Sequence, residues 1–150
     1  NIAINALETV LEKHYPNQIL QHTNQVNAFL EDYAYLGMAL LTAHQVTKNS
    51  KYLIFSENLL NQAIEKFYEK GRWVFAKSDI PVYDDIYDLL YPSSMATILL
   101  LAQKISFKID NDYSQIIFKT IERNSYVLMR QPLSSPKMSK VLLKYLQKRI

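Results

Sequence analysis

Cysteine is absent from this 150-residue chain. That excludes disulfide frameworks, thiolate catalysis and cysteine-based zinc or iron–sulfur centres, and leaves the fold to stand on packing alone. Glycine occurs twice, at Gly37 and Gly71, and proline five times, too little turn material for a sandwich or barrel of many short strands. No uninterrupted apolar run approaches the roughly 20 residues a membrane-spanning helix needs. The first residues hold neither a basic leader nor a long apolar stretch, so no signal peptide is expected. Gly-rich phosphate loops, nucleophile elbows and His–Glu metal motifs are missing too.

What remains is rich in Leu, Ile, Lys, Gln and Glu and 49% apolar, a composition that favours helix and suffices for one good core. A single all-α domain over residues 1–150 follows. The net charge of +3 rests on scattered Lys and Arg. Only Lys137, Lys140, Lys144, Lys148 and Arg149 cluster, and a solvated end of a final helix explains them better than a nucleic-acid surface.

Helical spacing places Ala3, Ala6, Leu7, Val10, Leu11 and His14 on one face of a helix over residues 2–14, with Glu8, Glu12 and Lys13 opposite. Residues 19–22 are too few for a helix and read as a brief strand. Asn27 is a candidate cap for the next helix. That helix, residues 28–46, is apolar almost all round, which requires burial among other helices. A two-sided helix follows at 51–68, a short strand at 72–76, and a long unpatterned loop at 77–91. A second all-apolar helix runs from about Ser94 to Ile105, then a two-sided one through Ile116, Ile117, Thr120, Ile121 and Val127. Ser135, with Pro136 at the first helical position, opens the last. Six helices thus alternate between enclosed and half-wetted, the pattern of α-hairpins set side by side with an inner and an outer layer. Three hairpins fall short of a ring of six, so an arc is expected, with inner residues such as Leu40 and Leu99 away from water.

Two constellations could carry chemistry. Glu31 and Asp32 stand at the start of the first enclosed helix beside Tyr33 and Tyr35. Adjacent helical residues diverge by about 100°, so the two carboxylates need not serve one atom; stabilising the helix start is the competing role. The second constellation is the 77–91 loop, with Asp79, Asp84, Asp85, Asp88, Tyr83, Tyr87 and Tyr91, together with Trp73 and Phe75. Flat aromatic faces and hydroxyl-accepting carboxylates suit a sugar-like ligand, and a lid packed on helix ends would use the same residues. His14, His22 and His44 are spaced for helix-end roles rather than for a metal, and neither a metal nor a cofactor is expected.

The run Phe29-Leu30-Glu31-Asp32-Tyr33-Ala34-Tyr35-Leu36, then Lys51-Tyr52-Leu53, Gly71-Arg72-Trp73-Val74-Phe75 and Tyr87-Asp88-Leu89-Leu90-Tyr91-Pro92-Ser93-Ser94, resembles the C-terminal region of a protein family. The family is the thioredoxin-domain-containing proteins related to the spermatogenesis-associated thioredoxin-like protein. Leu30, Glu31, Asp32, Tyr33 and Ala34 match its Leu-Glu/Asp-Asp-Tyr-Ala run. Asp88, Pro92 and Ser93 keep part of a later motif, with Leu89, Leu90, Ser94 and Met95 at its glycine, alanine and Gly-Asn positions. The resemblance implies part of an (α/α)6 toroid similar to six-hairpin glycosidases and N-acylglucosamine 2-epimerase, cut from the C-terminal part of a longer bacterial cytoplasmic chain. It implies Asp32 and Asp88 as acid, base or hydroxyl partners, converging with Tyr33 at one end of the helices. Glu31, Tyr33, Trp73, Tyr87, Tyr91 and Ser93 would bind a carbohydrate-like ligand. The alternative is a non-catalytic scaffold whose apolar ends meet another copy or the rest of a longer chain.

Overall fold

The computed structural model describes residues 2–77 and 79–147. Lys148 and Arg149 of the basic cluster lie outside them. Six helices dominate the described residues: α1 (Ile2–His14), α2 (Leu30–Thr47), α3 (Ser50–Phe67), α4 (Ser94–Ser106), α5 (Ser114–Arg130) and α6 (Pro136–Gln147). Five short strands lie between them, β1 (Gln21–Thr23), β2 (Val26–Asn27), β3 (Tyr68–Glu69), β4 (Arg72–Ala76) and β5 (Val82–Tyr83).

The α2–α3 hairpin is closed by its two linking residues. Lys48 takes the left-handed conformation (φ 60°) and returns its N–H to the His44 carbonyl at 2.8 Å. Asn49 then caps α3, its Oδ1 accepting the Lys51 N–H at 3.0 Å, so one helix ends and the next starts without an orphaned turn. Gly37 lies where α2 is pressed from two sides. The buried Ser56 hydroxyl on α3 donates to the Gly37 carbonyl at 2.8 Å, and a Cβ at Gly37 would stand 2.5 Å from Leu101 Cδ2 on α4.

Helix α4 is the enclosed rod of the molecule. It packs against α2, α3, α5 and α6, and Ser94–Gln103 and Ile105 are all buried. Leu40 and Leu99 are fully buried, and so is Leu60 on the two-sided α3. Helix α2, expected to be enclosed all round, is covered chiefly where α3 and α4 meet it, with smaller contacts to α1 and β4; Ala39, Thr42 and Val46 remain exposed. The cause is the way α1 docks. Glu8, expected to face water, accepts the Lys51 ammonium at 2.7 Å and the Tyr52 hydroxyl at 2.6 Å on α3. Just past the end of α1, Tyr15 meets Phe55 edge-on with ring centroids 5.8 Å apart. Turned this way, α1 covers the Leu7, Leu11 and His14 side of the face its periodicity marks and leaves the Ala3, Ala6 and Val10 side exposed.

The strands are local clips. The expected strand at 19–22 lies at 21–23 and pairs with β2, which takes up Asn27, so Phe29 rather than Asn27 precedes α2. β4 spans Arg72–Ala76, as its sequence suggests. It is joined to β3 by Lys70 and Gly71, both with positive φ (47° and 87°), as a tight two-residue hairpin requires. A third strand, β5, pairs with β4 inside the stretch that looked unpatterned.

Candidate functional site

The chemistry-bearing residues collect where α2, α4 and α6 begin. Asp88 ties the starts of α4 and α6 together: its Oδ1 accepts the Ser93 N–H and its Oδ2 the Lys137 N–H, each at 2.7 Å. Its own N–H donates to the Ser134 carbonyl at 2.9 Å. Asp88 therefore supplies the cap that Ser135 was expected to give α6, while the Ser135 hydroxyl donates to the Gln131 carbonyl at 3.1 Å instead. The Tyr35 hydroxyl on α2 reaches the Pro92 carbonyl just before α4. The Ser93 hydroxyl donates to the Asp85 carbonyl at 2.8 Å and accepts the Ala96 N–H at 3.1 Å.

Between these bonds lies an open hollow of about 260 Å³, into which Glu31, Tyr35, Asp84, Asp85, Tyr87, Tyr91, Ser93 and Ser94 project beside Leu89, Leu90 and Pro92. Asp84 is its best-anchored acid. Its N–H donates to the Trp73 carbonyl at 2.8 Å, fixing it to the end of the β4–β5 pair, and its Oδ2 accepts the Met95 N–H at 2.7 Å in the first turn of α4. Burial raises its pKa to about 6. The N–H groups of Met95 and Asp85 oppose the rise, and the charges of Asp85 and Glu31 add to it. Burial also raises Tyr35, assisted by the charges of Glu31, Asp84 and Asp88, which keeps its hydroxyl protonated. The hollow thus offers a carboxyl group that exchanges its proton near neutrality, further carboxylates beside it, a Tyr35 hydroxyl that can accept while it donates to Pro92, and the rings of Tyr87 and Tyr91. Such a set can donate to and accept from hydroxyl groups and can move a proton.

Of the residues singled out in the sequence, Glu31, Tyr87, Tyr91 and Ser93 line this hollow. Asp88 is adjacent to it through Ser93, with both oxygens occupied by N–H donors. Asp32 points elsewhere. Its carboxylate accepts the Phe29 N–H at 2.8 Å, holding the start of α2, and meets His22 Nδ1 at 3.0 Å. Tyr33 is fully buried, its hydroxyl receiving the Lys66 ammonium at 2.6 Å. Trp73 is also interior, its Nε1–H donating to Thr120 Oγ1 at 3.0 Å. The acid that joins Glu31 is therefore Asp84 rather than Asp32, because one residue along a helix turns the side chain by about 100°. Asp84 and Tyr35 stood in the two constellations of the sequence without a role of their own. Tyr35 had a signal, since it lies four residues after Glu31 on the same helix face; Asp84 had none beyond membership of an acidic stretch.

The histidines serve separate ends. His22 meets Asp32, His44 Nδ1 lies 3.0 Å from the Asn49 carbonyl, and His14 closes α1. Among the described residues no group of three or more His, Cys, Asp or Glu side chains is arranged to hold a metal ion, and no helix is long and apolar enough to cross a membrane. Fold and site together define a mostly helical protein with short β-hairpins at its helix ends. No family model, curated protein or solved structure matches the chain.

Proposed function

We propose that this chain is a segment of a carbohydrate-handling helical toroid, similar to the epimerase and six-hairpin glycosidase class, and that the acidic hollow contributes part of its sugar-type ligand site. The observation that carries this reading is the meeting of Glu31 and Asp84 beside Tyr35 under a tyrosine rim, with Asp84 titrating near pH 6. A sugar presents apolar C–H faces to aromatic rings and hydroxyls to carboxylates, and these two needs are met within one hollow. The packing of α4 against both α2 and α6, with their starts tied at one end, supports an inner row of an arc. In this reading Asp84 donates a proton or hydroxyl hydrogen bond and Glu31 accepts one.

The test is a calorimetric titration with a panel of neutral and amino sugars, on the parent chain and on Glu31→Gln and Asp84→Asn. Saturable binding that both substitutions weaken at least about tenfold, a difference of about 1.4 kcal/mol, supports the site. Binding by neither parent nor variants, or equal binding by all three, overturns it.

A second reading, a non-catalytic scaffold that associates through an apolar face, is favoured by one observation. Ala3, Ala6 and Val10 on α1 and Ala39, Thr42 and Val46 on α2 line an uncovered groove of about 550 Å³. Under it the chain self-associates at micromolar concentration and the Val10→Glu, Val46→Glu double variant sediments as a monomer. A parent that is monomeric throughout counts against it.

A further inference from the structure

A second groove, of about 590 Å³, lies beyond the Leu89–Pro92 ridge from the acidic hollow and is bounded by α2, α4 and the start of α6. Its walls are apolar, formed by Met38, Leu100 and the ridge itself, in which Leu89 is 78% and Leu90 90% exposed. Its rim is cationic. Lys104, Lys137 and Lys140 line it, and Lys144 is close enough for its charge, with that of Lys140, to add to the burial that makes Lys104 a weaker base. Lys137 is weakened likewise by burial and by Lys140 and Lys104, with Asp88 opposing.

Three lysines meet a single carboxylate in this lining. The ion pairs formed by described lysines are Lys51 with Glu8 and Lys119 with Glu122, both away from the groove. The Lys137 ammonium donates to a neutral partner, Thr97 Oγ1, at 3.0 Å. Asp88, the one carboxylate lining the groove, offsets part of the charge of Lys137, and neither Lys104 nor Lys140 forms an ion pair with a carboxylate among the described residues. Lysines brought together at the edge of an apolar groove repel one another unless an anion joins them. A polynucleotide needs cations along its length and has no use for the apolar walls. An unsubstituted hydrocarbon has no use for the lysines. An amphiphile with one anionic end satisfies both.

We propose that this groove binds a small organic anion with an alkyl body, its chain against Met38, Leu90 and Leu100 and its carboxylate among Lys104, Lys137 and Lys140. The site is separate from the sugar-type hollow and does not depend on it. Met38 lines this groove and also the α1–α2 groove, so its methyl reports occupancy of either and the lysine variants assign it to this one, while Met129 lies exposed on α5.

The experiment follows the methionine methyl resonances of the chain during titration with decanoate, with acetate, decanol and anionic phospholipid vesicles as comparison arms. Decanoate is expected to shift the Met38 methyl saturably and leave Met129 in place. Acetate and decanol are expected to bind at least about tenfold more weakly, one lacking the tail and the other the charge. Lys140→Gln, at an exposed position, should weaken decanoate about threefold and Lys104→Gln with Lys140→Gln about tenfold or more, while Asp84→Asn leaves it unchanged. The core methyls of Met95 and Met138 report whether each variant is folded. No saturable shift at Met38, equal affinity for decanol, or undiminished affinity in folded Lys140→Gln overturns the proposal. Vesicle binding without a decanoate response overturns it in favour of a membrane surface.

Discussion

At the scale of single residues, Asp84 gives the sharpest pH signature. Its carboxyl titrates near 3.8 when free and near 6 in the folded chain, chiefly because it is buried. Between these values the native state holds more proton than the unfolded state, so stability falls as pH rises from about 4 to 6 and the loss is complete above. Asp84→Asn keeps an acceptor for the Met95 N–H and removes the ionisation. Urea unfolding should therefore show the variant gaining on the parent across that window, by on the order of 1–2 kcal/mol once its partial exposure is discounted, with a constant gap above pH 7. A gap that does not change with pH would contradict the assignment. Gly71 gives a different kind of test. Its φ of 87° is strained for any side chain, and a Cβ there would stand 2.7 Å from the Lys119 carbonyl of α5. Gly71→Ala should cost about 2–4 kcal/mol in the same assay. Gly37→Ala would put a Cβ 2.5 Å from Cδ2 of the fully buried Leu101 without straining φ, so it should cost stability through repacking of the α2–α4 contact.

At the scale of elements, periodicity located all six helices but mistook how two of them are held. Apolar spacing assigns α1 an inward face through Ala3, Ala6, Leu7, Val10, Leu11 and His14, of which Ala3, Ala6 and Val10 stay exposed; nothing in spacing shows that Glu8 has the Lys51 ammonium and the Tyr52 hydroxyl to reach 43 and 44 positions later. Those bonds hold the Glu8 carboxyl below its usual pKa, so its contribution is present above about pH 4.5 and fades as pH falls. Glu8→Gln should speed amide hydrogen exchange through α1 at neutral pH while leaving α4 as slow as before. Helix α6 starts at Pro136 as expected, but the side chain that caps it was misread for the same reason. Ser135 is the expected cap by local pattern, and Asp88, 49 positions before Lys137, takes the N–H. Because Asp88 receives two backbone donors, Asp88→Ala leaves both without an acceptor and should cost about 2 kcal/mol or more, with Asp88→Asn intermediate. Such a loss would show as a lowered unfolding midpoint whether or not any ligand is present. The short β5 escaped notice because two residues, Val82 and Tyr83, carry no period to read.

At the scale of the whole molecule, opposite charges are sorted across one ridge. Leu89, Leu90, Tyr91 and Pro92 border both the acidic hollow of Glu31 and Asp84 and the lysine-rimmed groove of Lys104 and Lys140. Composition gives only the balance of +3; the sorting depends on α2, α4 and α6 bringing their starts together. The ridge makes both sites testable in one variant. Since Leu89 and Leu90 contribute little to the core, Leu89→Ser with Leu90→Ser should leave the unfolding midpoint within about 0.5 kcal/mol of the parent. The same variant should weaken a groove-bound alkyl anion by about fivefold, through loss of an apolar wall, and should also alter any sugar affinity of the hollow. Lys104→Gln should affect the first ligand alone and Asp84→Asn the second alone. A ridge variant that unfolds, or that leaves both affinities untouched, would mean that Leu89 and Leu90 pack against something else and that the two cavities are not divided by a working wall.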